Sequence, residues 1–115
     1  MSADVFAERL AKVRNRFKSA LPGNIAANDA ALPQLAESVA AVAETYRRLH
    51  GMAGTGPTIG FAATGQAARA AENVLIEAYR GARALTSDET ASLKEALVVL
   101  RDAAQSELQT ESPGG

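Results

Sequence analysis

Apolar residues recur along this chain at steps of three and four, and each such stretch predicts a helix. In the first, Phe6, Leu10, Val13, Phe17 and Leu21 repeat in this way. Ser2 is a candidate N-cap, and Asp4 falls in the first turn, where a negative charge suits the helix dipole. Pro22-Gly23-Asn24 predicts its end, and the Asn- and Ala-rich stretch from Asn24 to Leu32 reads as a short connector with at most a helical turn. A second helix is predicted to open between Asp29 and Pro33, because proline is tolerated only in a first turn. Leu35, Val39, Val42, Tyr46 and Leu49 form its stripe, and Gly54-Thr55-Gly56-Pro57 closes it. A third helix is expected from near Gly60 to about Arg80, with Phe61, Ala68, Ala71, Leu75 and Ala78 on one side and Gly81 as C-cap. The fourth opens with Thr86-Ser87-Asp88-Glu89, the spacing of a capping box, and its stripe is Leu93, Leu97, Leu100 and Ala104. The Pro/Gly-ended tail, about 109–115, is expected to fray. With no strand alternation and no internal repeat, the pattern predicts an all-α fold. It is an up-and-down four-helix bundle with a short N-terminal connector, forming one domain over residues 1–115.

Composition narrows the picture. Three Phe, two Tyr and no Trp leave an aliphatic, Ala-rich core, which suits close helix packing better than a β-sandwich. Twelve basic and thirteen acidic residues give a net charge of -1, so bulk electrostatics offers nothing to nucleic acid. The absence of cysteine excludes disulfides, thiolate metal sites and cysteine nucleophiles. No apolar run approaches the ~20 residues that span a bilayer. Met1 to Leu10, with Asp4 and Glu8, lacks the basic-then-apolar order of a signal peptide. The expectation is a cytoplasmic protein with neither a membrane nor a nucleic-acid partner.

The candidate chemistry rests on the single histidine, His50, near the end of the second helix. At ~100° per residue it lies about 40° from the centre of the arc formed by Leu35, Val39, Val42, Tyr46, Leu49 and Ala53. Ala36, Ala43, Arg47 and Gly54 lie beside it, so the imidazole is predicted to be half-exposed among small side chains. Glycine inside a helix costs roughly 1 kcal/mol against alanine, yet Gly51 and Gly54 flank this histidine. Close approach by another molecule or a neighbouring helix is the expected compensation. Local spacing supplies no carboxylate to orient the ring and no Ser or Cys nucleophile, which argues against hydrolysis. A neutral imidazole can itself attack a phosphoryl group. The same spacing also fits a boundary histidine with no chemical role. Gly54 to Gly60 lacks the Lys-Ser/Thr ending of a P-loop, and one histidine is too few for a bundle metal site.

The stretch His50-Gly51-Met52-Ala53-Gly54-Thr55-Gly56-Pro57-Thr58-Ile59-Gly60-Phe61 resembles the signature of histidine-containing phosphotransfer (HPt) domains. That signature has a histidine, a glycine four positions on, a small hydroxyl or alanine residue next, and a second glycine at ten. Here these are Gly54, Thr55 and Gly60, and the following Ala- and Leu-rich helix carries Glu72 where the family often has a glutamate. Helix order and length match over nearly the whole domain. The chain departs from the pattern at Ala53, where many members carry a lysine that helps hold phosphoryl oxygens. It departs also at Thr64, where leucine is usual, and at Gly51, commonly a longer side chain.

The resemblance implies that His50 is the phospho-acceptor, through Nε2, between receiver-domain aspartates. The receiver would supply Mg²⁺, and the chain would hold no cofactor or metal of its own. Docking and support residues would be Arg47, Gly51, Ala53, Gly54, Thr55, Gly60, Gln66 and Arg69, with Ala43 beside them. Arg47 and Arg48 are candidates to screen the phosphoryl charge, or are simply solvated arginines. The implied partners are response-regulator receiver domains and a hybrid sensor histidine kinase. The chain would act as a monomeric phosphotransfer intermediate without autonomous kinase or hydrolase activity, whether it stands alone or belongs to a hybrid kinase. A non-phosphorylated helical adaptor that docks receiver or kinase domains is the alternative.

Overall fold

Side-chain periodicity becomes four helices in the computed structural model, which describes residues 3–111: α1 (Ala3–Ala31), α2 (Val39–Thr55), α3 (Ala62–Arg80) and α4 (Ser87–Glu111). Single 3₁₀ turns at Leu32–Gln34 and Gly56–Ile59 join the first three, and no strand occurs among the described residues. Neighbouring helices run antiparallel. Tyr46 meets Tyr79 where His50 meets Glu72 across α2 and α3, and Thr64 at the start of α3 meets Glu107 near the end of α4. Likewise Asp29 of α1 pairs with Arg101 of α4, and Asn28 with Arg48 of α2. The result is a helical bundle.

Leu35, Val42, Leu49, Phe61, Leu75, Leu93 and Leu100 fill the core and are fully buried, each stabilising the fold by about 1.5–3 kcal/mol relative to exposure. The middle helix, α3, turns Ala67, Ala68, Ala71 and Ala78 inward, and these small side chains let α2 and α4 pack close on either side.

α1 does not end at Pro22. The helix continues through the proline to Ala31, so the expected connector from Asn24 to Leu32 is helical almost throughout. A proline inside a helix forfeits a hydrogen bond and costs ~3 kcal/mol. Tertiary contacts on both sides of it offset that cost. Leu21 is fully buried, Ile25 packs against the core, buried Asn28 accepts from Arg48 Nη1 at 3.1 Å, and Asp29 pairs with Arg101. The opposite end of α1 stands clear of the bundle, with Phe6 63% exposed. This overhang explains a longest dimension of 48 Å and a radius of gyration of 15.3 Å, against about 13 Å for a compact domain of this size.

α2 starts at Val39 and not between Asp29 and Pro33. Pro33 lies in the 3₁₀ turn, and Ser38 is the N-cap, its Oγ accepting from Ala41 N at 3.0 Å. Leu35 is buried, but in the turn, where its carbonyl accepts from Leu85 N at 2.9 Å. Val39, assigned to the apolar stripe, is 45% exposed at the first helical position. Residues 109–111, expected to fray, are helical, since α4 runs through Glu111; Ser2 and residues 112–115 lie outside the described residues.

Other expectations hold. α2 ends at Thr55, Gly81 caps α3, and the capping box of α4 is closed both ways. Glu89 N donates to Thr86 Oγ1 at 3.1 Å and Thr86 N donates to Glu89 Oε1 at 2.9 Å. The corner between α2 and α3 explains the glycines there. Gly60 has φ of 92°, a left-handed conformation that glycine adopts without strain. Gly65 packs so tightly that a Cβ on it would lie 2.5 Å from Pro57 Cδ.

Phe61, at the N-cap position of α3, has no capping side chain to offer. Glu107 of α4 does the capping instead, accepting from Ala63 N at 3.1 Å, Thr64 N at 2.7 Å and Thr64 Oγ1 at 2.6 Å. The residue at 64 is therefore a buried partner of a carboxylate from the next helix.

Candidate functional site

His50 sits on α2 between two elements of the corner just described, the helix end at Thr55 and the wall of α3. Its side chain is 62% exposed, and Nδ1 lies 2.6 Å from Glu72 Oε2 on α3. A carboxylate only accepts, so the proton in this contact is on Nδ1 and the neutral ring carries its lone pair on Nε2. Nε2 makes no hydrogen bond among the described residues. This overturns the expectation that no carboxylate orients the ring. The two residues are 22 apart in sequence, and only the packing of α2 on α3 brings them together.

Glu72 is 3% exposed, and a carboxylate buried that deeply would be costly without partners. Besides His50 it has Arg69 Nη1 at 3.3 Å from Oε1, and it interacts electrostatically with the Tyr46 hydroxyl. Tyr46 is held flat by Tyr79, ring centroids 4.0 Å apart at 12°, and lies nearly parallel to the His50 ring at 5.8 Å. Desolvation pushes the Tyr46 hydroxyl above its ordinary value, and the Glu72 carboxylate adds to the shift. Tyr46 therefore stays protonated and uncharged beside Glu72 at neutral pH. One edge of the imidazole is pinned and one face is covered, leaving Nε2 on the open side.

Around the ring, Arg47, Gly51, Gly54, Gln66 and Arg69 are exposed, while Ala43 and Thr55 are partly buried. A Cβ added to Gly51 or Gly54 would meet nothing within 4 Å, so no neighbouring helix requires these glycines. They leave a flat, uncluttered strip beside His50. Ala53 is different: at 3% exposure it belongs to the interior and not to a docking face. Gly60 is exposed at the corner, where its role is conformational. Arg48 is tied to Asn28 on the α1 side, which removes it as a screen for His50.

Local spacing missed Tyr46, which it placed only in the apolar stripe, and Glu107, whose partners are more than 40 residues away. No group of three or more His, Cys, Asp or Glu that could hold a metal occurs among the described residues. No helix there is long and apolar enough to cross a membrane. In comparisons with known families, curated proteins and solved structures, nothing matches this chain.

Proposed function

We propose that this chain is a histidine phosphotransfer protein that carries a phosphoryl group on His50 Nε2 between receiver aspartates of a two-component phosphorelay. The observation that carries the reading is the contact between a buried carboxylate and the Nδ1 of an exposed imidazole, beside a strip of glycines.

In the transfer, the Nε2 lone pair attacks the phosphorus of an aspartyl phosphate. The P–O bond of the acyl phosphate breaks, and the aspartate leaves with its electron pair. No proton need move, because Nδ1 keeps its hydrogen and the ring gains positive charge as the N–P bond forms. Glu72 already holds that N–H and stabilises the developing charge in place, with no reorganisation at the moment of reaction. The charge on the transferring group itself is neutralised by Mg²⁺ and side chains of the receiver, as phosphoryl transfer requires. The partner on this side needs a positioned nucleophile and a face a second protein can approach closely. Gly51 and Gly54, with Arg47 and Gln66, provide that face.

The test is to treat wild type and His50→Gln with phosphoramidate, weigh both intact, and then add receivers with Mg²⁺. The reading expects one acid-labile phosphoryl group on wild type alone, passed on to a receiver. No uptake, or equal uptake by both proteins, overturns it and leaves a docking adaptor as the role of this face.

A further inference from the structure

We infer that Arg69 binds the phosphoryl oxygens of phosphorylated His50. This deepens the relay reading and rests on it. A phosphoryl group on Nε2 is a dianion held one ring-width from the Glu72 carboxylate; the single positive charge of the ring between them leaves the site net negative, so a further cation near both is stabilising. Ala53, on the turn after His50, is buried and has no polar atom to offer.

The arginines near the ring are not equivalent. Arg48 is occupied by Asn28. Arg47, one turn before His50 on the same helix, makes no hydrogen bond or ion pair to His50 or Glu72. Arg80 lies at the far end of α3, at a register well past Glu72. Arg69 instead places Nη1 3.3 Å from Glu72 Oε1, on the carboxylate whose other oxygen holds His50.

Register and space agree with this choice. With α2 and α3 antiparallel and His50 opposite Glu72, Arg69 falls opposite the turn that holds Ala53 and Gly54. The open volume around Gly54, empty within 4 Å of where its Cβ would be, leaves room for a guanidinium to turn. The contact with Glu72 is long for a charge-assisted bond, commonly about 2.7–2.9 Å, and the Arg69 side chain is 52% exposed. Arginine has five N–H donors in a planar fork, and this contact uses one. Arg69 can thus keep one donor on Glu72 and turn the others to the phosphoryl oxygens, neutralising the space between two anions. No covalent bond changes and no proton moves.

The experiment measures phosphoramidate uptake by wild type, Arg69→Ala and Arg69→Lys, each also in a Glu72→Gln background. Alongside, the ¹⁵N–¹H signal of the Arg69 side chain is followed with and without phosphoryl donor. The expected result is phosphoryl uptake about tenfold slower in Arg69→Ala at a given phosphoramidate concentration, partly restored by lysine. The loss persists when Glu72 is glutamine, and the Arg69 signal moves on phosphorylation of wild type but not of His50→Gln. An unchanged rate of uptake in Arg69→Ala overturns the inference alone. So does a loss that vanishes in the Glu72→Gln background, because Arg69 then acts only by positioning Glu72. Wild type that takes up no phosphoryl group overturns the relay reading and this inference with it.

Discussion

Glu72 and Glu107 both place a carboxylate against α3, one from within that helix and one from α4, and they differ in what they leave over. The oxygens of Glu107 take two backbone N–H groups and the buried Thr64 hydroxyl, donors that would otherwise be orphans at the helix start. All of that hydrogen bonding ends inside the fold. Glu72 is the more buried of the two, yet its partners include an imidazole 62% exposed and a guanidinium 52% exposed. A carboxylate spent on backbone donors builds structure. One whose partners are exposed and chargeable instead makes its influence felt at the surface.

The largest effect that would sharpen this contrast is on stability. Glu107→Ala strips the α3 start and a buried hydroxyl of their acceptor, which should cost about 2–3 kcal/mol. The thermal midpoint, followed by circular dichroism, is expected to fall by roughly 10–20 °C, with phosphoryl uptake unchanged at temperatures where the chain is folded. Glu72→Gln should behave in the opposite way, with uptake down about 10–100-fold and the midpoint moved by only a few degrees. A Glu72→Gln protein that melts like Glu107→Ala and keeps its uptake would erase the distinction. Gly54→Ala should raise stability by up to about 1 kcal/mol in a denaturant melt, because the added methyl meets nothing in the chain, while slowing transfer to a receiver.

The smallest effect concerns a third carboxylate, Glu89, at the start of α4. Its hydrogen bonds to Arg83 and then to the Thr86 N–H hold its carboxyl at about 2 instead of the ordinary 4.5. A folded value below the unfolded one stabilises the fold above the ordinary carboxylate range, and the contribution is lost as pH falls from about 4.5 through about 2. Glu89→Gln should therefore lower stability by less than about 1 kcal/mol near neutrality, with the difference shrinking toward nothing only as pH falls below about 2. Melts across that range check it, and a difference that does not shrink toward the acid end would rule out this carboxyl as the cause.

Much of the bundle was legible because its cues are local. The capping box at Thr86, the glycine after Arg80 and the Gly-Thr-Gly-Pro stop are all set by backbone hydrogen bonding within one turn. The end of α1 and the start of α2 depart from the local signal for one cause, since tertiary contacts outweighed it. Leu35 fitted the spacing of α2 although it is buried from a turn, and Pro22 signalled an end that Leu21 and Asn28 override by packing on both sides of it. The site was half legible. The exposure of His50 followed from its position at the edge of the arc. Its carboxylate did not, because a contact 22 residues away is fixed by how α2 meets α3, and only the resemblance pointed to position 72. Thr64, a departure from that resemblance, became intelligible only once Glu107 was in view.

The corner where Gly65 presses on Pro57 acts on the site as the pivot of a pair of short levers. His50 and Glu72 each lie within about two turns of it, or roughly 10 Å along their helices. Opening the angle there by about 10° would separate their tips by nearly 2 Å, enough to undo a contact of 2.6 Å. A single methyl at Gly65, chemically remote from the imidazole, would therefore mistune it through geometry alone.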